Sequence, residues 1–284
     1  MSQKYQNSYS AGIHHQLRQG LSSNNFHKAI HDIKMGWINR DLWINMGWQE
    51  IRQRYRRSRI GPFWLTISMG VMVLALGVLY GEILNVEVSK YIPYLASGFV
   101  IWGFISGMIQ DVVGSFIRGE GLIKQLPAPF SIHVYRAVWV NLIILAHNIV
   151  IFFIVSIWFG KLPSLTMLLA LPAIILIMLN GVWFGLLFGL LSARFRDIPQ
   201  IIASLLQLMF FITPIFWTPE MVPQKTYILD LNPFYYFVEI VRAPLLGYIP
   251  NTFTVLGALI ITIIGWGLAL FIFTPLRWRI PYWV

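Results

Sequence analysis

No cysteine occurs anywhere in this 284-residue chain. Disulfide frameworks, thiolate metal centres and thiol nucleophiles are therefore excluded. Charge is scarce as well: Asp, Glu, Lys and Arg make up 11% of the sequence, against roughly 25% in an ordinary soluble domain. Acids are the rarer sign, with 11 carboxylates facing 21 lysines and arginines. The histidines form no HxxxH or HExxH pair, and no Gly-x-x-x-x-Gly-Lys-Ser/Thr loop occurs, so a zincin motif and a P-loop are both absent. The apolar stretches lack the internal acid chains on which proton-coupled carriers depend, and they show no inverted repeat with matching broken helices. The polar first thirty residues contain no apolar core of the kind a cleaved secretion signal needs.

What the chain has instead is hydrocarbon. Apolar types make up 57% of it and mean hydropathy is +0.67, leaving too little polar surface to cover a water-soluble body of this size. Six segments approach the roughly 20 residues that a helix needs to cross about 30 Å of hydrocarbon. They run over approximately 63–84, 92–116, 137–159, 165–192, 200–218 and 253–276. Apolar residues are continuous within them and do not alternate, which argues against a transmembrane barrel. The sequence thus predicts an all-α polytopic membrane protein with six transmembrane helices. Six crossings return both termini to one side. All but four of the 21 lysines and arginines (Lys90, Lys161, Lys225 and Arg242) fall on that side, which the positive-inside rule makes the cytoplasm. The net charge of +10 follows from this bias, and no nucleic-acid partner is implied.

Three units are predicted: a polar cytoplasmic tail over 1–31, an amphipathic helix over 32–59 and a six-span domain over 60–284. In the second unit Trp37, Ile44, Trp48, Ile51 and Tyr55 recur at helical spacing with arginines elsewhere. That pattern predicts a helix lying in the membrane interface, the alternative being a soluble helix docked on a partner. The seam RQRYRRSRIGPFW that follows carries Arg54, Arg56, Arg57 and Arg59 at the headgroups, and Gly61-Pro62 allows the turn into the bilayer.

Two connecting segments are informative. Residues 118–139, RGEGLIKQLPAPFSIHVYRAVW, predict a short helix with Leu122, Ile123 and Leu126 on one apolar face, stopped by Pro127 and Pro129. Such an element is either a docking site for a cytoplasmic protein or an ordinary interfacial loop. On the other side, Pro214, Pro219, Pro223, Pro233, Pro244 and Pro250 forbid one long helix. The aromatic content there is too high for a solvated loop, which predicts re-entrant external helices between spans five and six. Asn232 with Pro233 behind it marks a helix start. Phe210, Phe211, Phe216, Trp217, Phe234, Tyr235 and Tyr236 would ring an external mouth whose aromatic faces suit sugars, unless they form an ordinary aromatic belt.

In order, the amphipathic helix, RYRRSRIGPFW, RGEGLIKQLPAP, ARFRDIPQ, ITPIFW and LNPFYYFVEIVRAPLLG resemble the permease subunit of type-2 ABC exporters that move O-antigen, capsule and teichoic-acid polymers. The resemblance covers nearly the whole chain from about residue 32. It implies a non-catalytic homodimer in the bacterial inner membrane, partnered by two copies of a separate ABC ATPase that holds ATP and Mg. This chain would then carry no cofactor and would extrude a lipid-linked polysaccharide. Arg118, Glu120, Lys124 and Gln125 would belong to a coupling helix seated on the ATPase. The interfacial helix with Trp37, Trp48 and the basic seam would be a second contact, and the aromatics at 210, 211, 216, 217 and 234–236 would line the path or outer gate. Rival readings are a permease for teichoic acid or a small amphiphile, and a membrane-embedded glycosyltransferase or polymerase. The latter would have only Glu220, Asp230 and Glu239 as outer acids.

Overall fold

The computed structural model describes residues 23–56, 63–83, 86–161, 163–221 and 226–284, and every regular element among them is helical. Arg57, Arg59, the Gly61-Pro62 turn and residues 1–22 of the expected tail lie outside the described residues.

The chain begins with α1 (Ser23–Ile38) and α2 (Arg40–Tyr55), which meet at Asn39. This corrects two expectations. The first helix starts inside the stretch read as tail, and the single helix expected over 32–59 is two. Ala29 and Ile33 lie four residues apart and pack inward, yet the polar residues between them mask the stripe in the sequence.

Next come α3 (Phe63–Ile83), α4 (Val88–Val113), the short α5 (Ser115–Arg118) and α6 (Glu120–Gln125), and α7 (Ser131–Trp158). A 3-10 turn at Leu165–Leu169 leads into α8 (Ala170–Phe184), a π turn at Gly185–Gly189 and α9 (Leu190–Arg194). Then follow α10 (Ile198–Ile212), α11 (Thr226–Asp230), α12 (Pro233–Leu245), α13 (Thr252–Leu276) and α14 (Ile280–Trp283). Five helical segments are long and apolar enough to cross a membrane: α3, α4, α7, the run from Leu165 through α8 to Arg194, and α13 continuing to Trp283.

The sixth expected span, 200–218, is the 15-residue α10. At 1.5 Å per residue it covers about 22 Å, short of the usual hydrocarbon thickness. The apolar sequence continues through Trp217, but Pro214 cannot continue the helix and Thr213 already has extended backbone.

At the centre stands α4, with 78% of its apolar window buried against 17% for α3. It packs on α3, α7, α8 and α12. Close approach of the fourth segment depends on Gly181, Gly185 and Gly189, a small residue every fourth position. A Cβ at Gly185 would lie 2.5 Å from Val134 Cγ1 and 2.8 Å from Val112 Cβ. The π turn sits at this crossing, where irregular helix is often found. Polar glue joins α8 to α13: Asn180 Nδ2 donates to Thr262 Oγ1 at 2.7 Å, and Trp183 Nε1 donates to Asn180 Oδ1 at 2.7 Å.

Candidate functional site

The basic face is organised around one acid that the sequence reading did not single out. Asp32 of α1 is 5% exposed. Its carboxylate accepts from Phe130 N at 3.1 Å and Ser131 N at 3.0 Å, and so caps α7, whose own preceding residue Phe130 cannot. Ser131 Oγ donates back to Asp32 O at 2.8 Å. From the far end of the chain, Arg277 Nη1 reaches Asp32 at 3.1 Å and Lys28 O at 2.9 Å. The first helix, the start of α7 and the end of α13 therefore meet in one polar joint.

Below it lies the face that holds α1 and α2 on α7. Its inward residues are Gly36, Trp43, Gly47 and Ile51. A Cβ on Gly47 would come within 2.8 Å of Trp139 Cδ1, and Trp43 stacks among Trp37, Tyr135 and Trp139 with ring centroids about 6.0 Å apart. Of the stripe read from the sequence, Ile51 is buried, Ile44 and Tyr55 are half-buried, and Trp37 and Trp48 are exposed. Both sides of these helices carry apolar residues, and periodicity alone picked the side with the larger rings. Arg54 pairs with Glu50 at 3.4 Å, Glu50 also meets Arg136 at 3.5 Å, and Arg56 is exposed.

The loop formed by α5 and α6 packs on α9 and α14 beside this joint. Arg118 folds back onto the Asp111 carboxylate at 3.3 Å and its backbone carbonyl, while Asn141 Nδ2 donates to the same carboxylate at 2.7 Å. Glu120 and Lys124 form an exposed pair at 2.7 Å, one helical turn apart, and Gln125 is exposed. Hydrogen bonding from Lys124, then its charge, lowers the Glu120 pKa below the usual carboxylate value. The pair is therefore complete above the ordinary carboxylate value and is lost only as pH falls through the lowered Glu120 value beneath it. Only Ile123 of the expected apolar face is buried; Leu122 and Leu126 point outward, the latter 55% exposed. The short helix can bury one anchor, and its remaining surface faces away from the bundle.

On the opposite face the expected aromatics fall into two groups. Phe210, Phe211 and Phe216 form a connected ring cluster with centroids 5.3–6.1 Å apart. Phe210 extends it to Trp102 at 5.9 Å, and Trp102 to Phe234 at 5.4 Å. Tyr235 and Tyr236 pair with each other at 5.9 Å, and Tyr236 is buried against Phe253 and Gly257. Asn232 caps α12 as the sequence predicts, accepting from Phe234 N at 3.0 Å, and its Nδ2 holds Thr213 Oγ1 at 2.9 Å.

The segment Thr213–Trp217 is pinned from several sides. Tyr91 donates to Phe216 O. The Tyr94 hydroxyl donates to Pro214 O at 3.0 Å and Trp217 O at 3.1 Å. It also accepts from Arg242 Nη1. Trp217 Nε1 donates to Phe211 O at 3.1 Å. Arg242, counted in the sequence as a loop cation, is 1% exposed. It stacks 4.2 Å over the Tyr94 ring and pairs with Glu239 at 3.6 Å. Its Nε and Nη2 have no hydrogen-bond partner among the described residues.

Between the two faces, α4 and α10 enclose an open furrow of about 310 Å³ lined by Trp102, Ser106, Gln110, Ala203, Leu206, Gln207, Phe210 and Phe211. The two glutamines are exposed, no lining residue is charged, and the aromatic rings occupy the end nearest the pinned segment. Such a surface offers amide donors and acceptors beside flat apolar faces, a combination that suits uncharged hydroxylated molecules. Among the described residues, no three His, Asp or Glu side chains group closely enough to hold a metal ion.

Residues 41–246 match the protein family described as ABC-2 type transporter. The chain belongs to this family. Among its relatives is the O-antigen export system permease protein RfbA of Klebsiella pneumoniae, 23% identical over 247 residues, which cover 84% of this chain and 93% of that protein. The RfbA of Myxococcus xanthus is 21% identical over 198 residues, 68% of this chain and 76% of that protein. The polysialic acid transport protein KpsM of Escherichia coli is 26% identical over 211 residues, 71% of this chain and 80% of that protein. As an ABC-2 transporter the chain is a membrane transport component and not an enzyme.

In this ABC-2 permease, sequence reasoning missed Asp32, Trp43, Trp102, Gln110, Gln207 and Arg242. Two of them carry a readable signal, since Gln110 and Gln207 are amides inside or beside otherwise apolar helices. Asp32 and Arg242 take partners 99 and 148 residues away, and no local pattern marks them.

Proposed function

We propose that the chain is the channel-forming subunit of an ATP-driven exporter that moves a lipid-linked, O-antigen-like polysaccharide across the bacterial inner membrane. The observation that carries this reading is the α4–α10 furrow, whose exposed amides and aromatic rings match a neutral polyol surface. The relatives named above for O-antigen and polysialic acid export support a polysaccharide substrate. In a homodimer, two furrows facing one another would form the path, with Phe210, Phe211, Phe216, Trp217, Phe234 and Tyr235 at its outer end. Tyr236 would then support that end from within.

Six crossings are part of this reading. Arg277 touches Lys28 and Asp32, and Arg196 touches Trp283 O at 3.3 Å, contacts that support an even number of crossings between these points. Five long helices leave an odd count, and α10 running on through Thr213–Trp217 supplies the sixth crossing. The segment from Pro219 through α12 then serves as the re-entrant part. Both termini lie on the cytoplasmic side, where α1 and α2 rest in the membrane interface.

Two copies of a separate ATPase, holding ATP and Mg, would dock on α6 through Glu120, Lys124, Gln125 and the outward Leu122 and Leu126, with Arg118 bracing the loop against Asp111. Exchanging the two charges, Glu120→Lys with Lys124→Glu, keeps an ion pair one helical turn apart. A partner would meet inverted charge. The expected outcome is a folded permease whose ATPase co-purifies poorly and loses stimulation; intact co-purification and activity would remove α6 from the interface.

The furrow itself is tested by Gln110→Leu and Gln207→Leu, alone and together, with surface polysaccharide as the readout. Each lost amide removes a hydrogen bond worth about 1 kcal/mol to the moving polymer, so the double variant is expected to lower export by about tenfold or more while the protein remains monodisperse. Normal export by the double variant would place the path elsewhere.

A further inference from the structure

A second cavity, distinct from the furrow, lies between α1 and α2 on one side and α7, α8 and α13 on the other. It holds about 600 Å³. Trp37, Trp43, Trp139 and Trp266 reach into it, and its one charged lining residue is Lys34, at an exposed position. Most of its polar atoms are already engaged: Tyr135 donates to Ile33 O at 3.0 Å, and Trp43 Nε1 to Gly36 O at 3.1 Å. Trp139 Nε1 is buried and finds no acceptor among the described residues.

The possible occupants differ in what they need. Ordered water requires about two to four polar partners converging on one point, and almost all of the surface this lining presents is apolar. A helix is about 10–12 Å across, so the cavity has room for little more than one or two turns of a partner helix. A lipid chain requires only an apolar channel open to the bilayer, and bilayer surrounds the spans that form this one. Lys34 at the rim adds a preference for a negative headgroup.

We propose that this cavity binds one anionic phospholipid from the leaflet on the side of α1 and α2. Its acyl chain lies among the indoles, its phosphate meets Lys34, and one of its ester carbonyls accepts from Trp139 Nε1. The lipid is a resident ligand and not cargo: it fills the space between the N-terminal helices and the spans. The site stands on the cavity itself and is independent of the export reading, which only makes the leaflet the cytoplasmic one.

The test is native mass spectrometry of the delipidated full-length chain, titrated with phosphatidylglycerol, phosphatidylcholine or a polyprenyl phosphate. One phosphatidylglycerol per chain is expected to bind about fivefold more tightly than phosphatidylcholine, the preference that a single interfacial lysine confers. Lys34→Gln, an exposed change that leaves the fold intact, is expected to abolish that preference. Leu179→Trp, which fills the cavity, is expected to remove the bound lipid. Equal binding of the two phospholipids by the unaltered chain, or a preference that survives Lys34→Gln, overturns the proposal. Tighter binding of polyprenyl phosphate would assign the cavity to a carrier lipid, and binding confined to monomers would assign it to a second copy of the chain; either result also overturns it.

Discussion

Tyr94→Phe is expected to lower the stability of the protein by about 2–3 kcal/mol, because it takes the closest hydrogen-bond acceptor from a buried arginine. Among the described residues Arg242 already finds no partner for Nε and Nη2, and the Tyr94 hydroxyl is the acceptor for Nη1. With Phe in its place the guanidinium keeps the ring beneath it and the Glu239 carboxylate at 3.6 Å, but no close hydrogen bond. The carbonyls of Pro214 and Trp217 lose their donor in the same step. The expected readout is an unfolding midpoint lower by about 6–10 °C in detergent. Adding Arg242→Met removes the buried charge and leaves only the part-exposed Glu239 unpaired, and replacing a buried ion by an apolar side chain of similar volume is often neutral or stabilising. The double variant is therefore expected to regain most of the lost stability. Its export should stay low, because nothing restores the hold on Thr213–Trp217. An unchanged midpoint in the single variant would contradict this reading of the buried cation, and recovery of export along with stability would make the pinning purely structural.

Asp32→Ala is expected to have an effect of similar size at the other face. The carboxylate accepts two backbone amides at the start of α7 and neutralises Arg277. Its removal leaves two backbone donors at the start of α7 unsatisfied and the half-buried Arg277 with only the Lys28 carbonyl, a loss of about 3 kcal/mol. Asp32→Asn keeps one acceptor but turns an amide NH2 toward a donor, so an intermediate loss is expected. A cycle with Arg277→Gln, read by thermal unfolding, separates the ion pair from the cap: if the pair matters, the two single losses sum to more than the loss in the double variant. Because the joint sits where the α5–α6 loop hands over to α7, Asp32→Ala should also weaken the response of export to ATPase activity more than its effect on abundance explains. Export that falls only in proportion to abundance would confine Asp32 to stability.

The parts of the fold that were legible in the sequence are those set by continuous apolar length between turn residues. The first span was expected over 63–84 and runs to Ile83; the last was expected over 253–276 and is Thr252–Leu276. The start of α12 was legible for a local reason too, since Asn232 and Pro233 form a cap that needs no distant partner. The extent of α10 was not, because hydropathy treats Pro214, Ile215 and Phe216 as more of the same span although they leave the helix. The inward face of α1 and α2 was not legible because glycine scores low on hydropathy, whereas Gly36 and Gly47 bring the backbones close enough for Trp43 to reach Trp139. Of the residues that line the candidate furrow, Phe210 and Phe211 were singled out from the sequence, while the amides Gln110 and Gln207 were passed over for lack of charge. Arg242 was placed with surface cations because charge counting carries no information about burial.

The absence of cysteine makes the most direct test simple, since no native thiol has to be removed. A single cysteine at Ala203, in the furrow, would carry a photoactivated crosslinker, with one at Ile263, exposed on α13 away from the furrow, as the control. In cells with the ATPase and polymer synthesis active, illumination is expected to attach polysaccharide to the Ala203 position and not to the Ile263 position, and the adduct should disappear when export is blocked before the polymer reaches the permease. Polysaccharide captured equally at both positions, or at Ile263 alone, would contradict a path through the α4–α10 furrow.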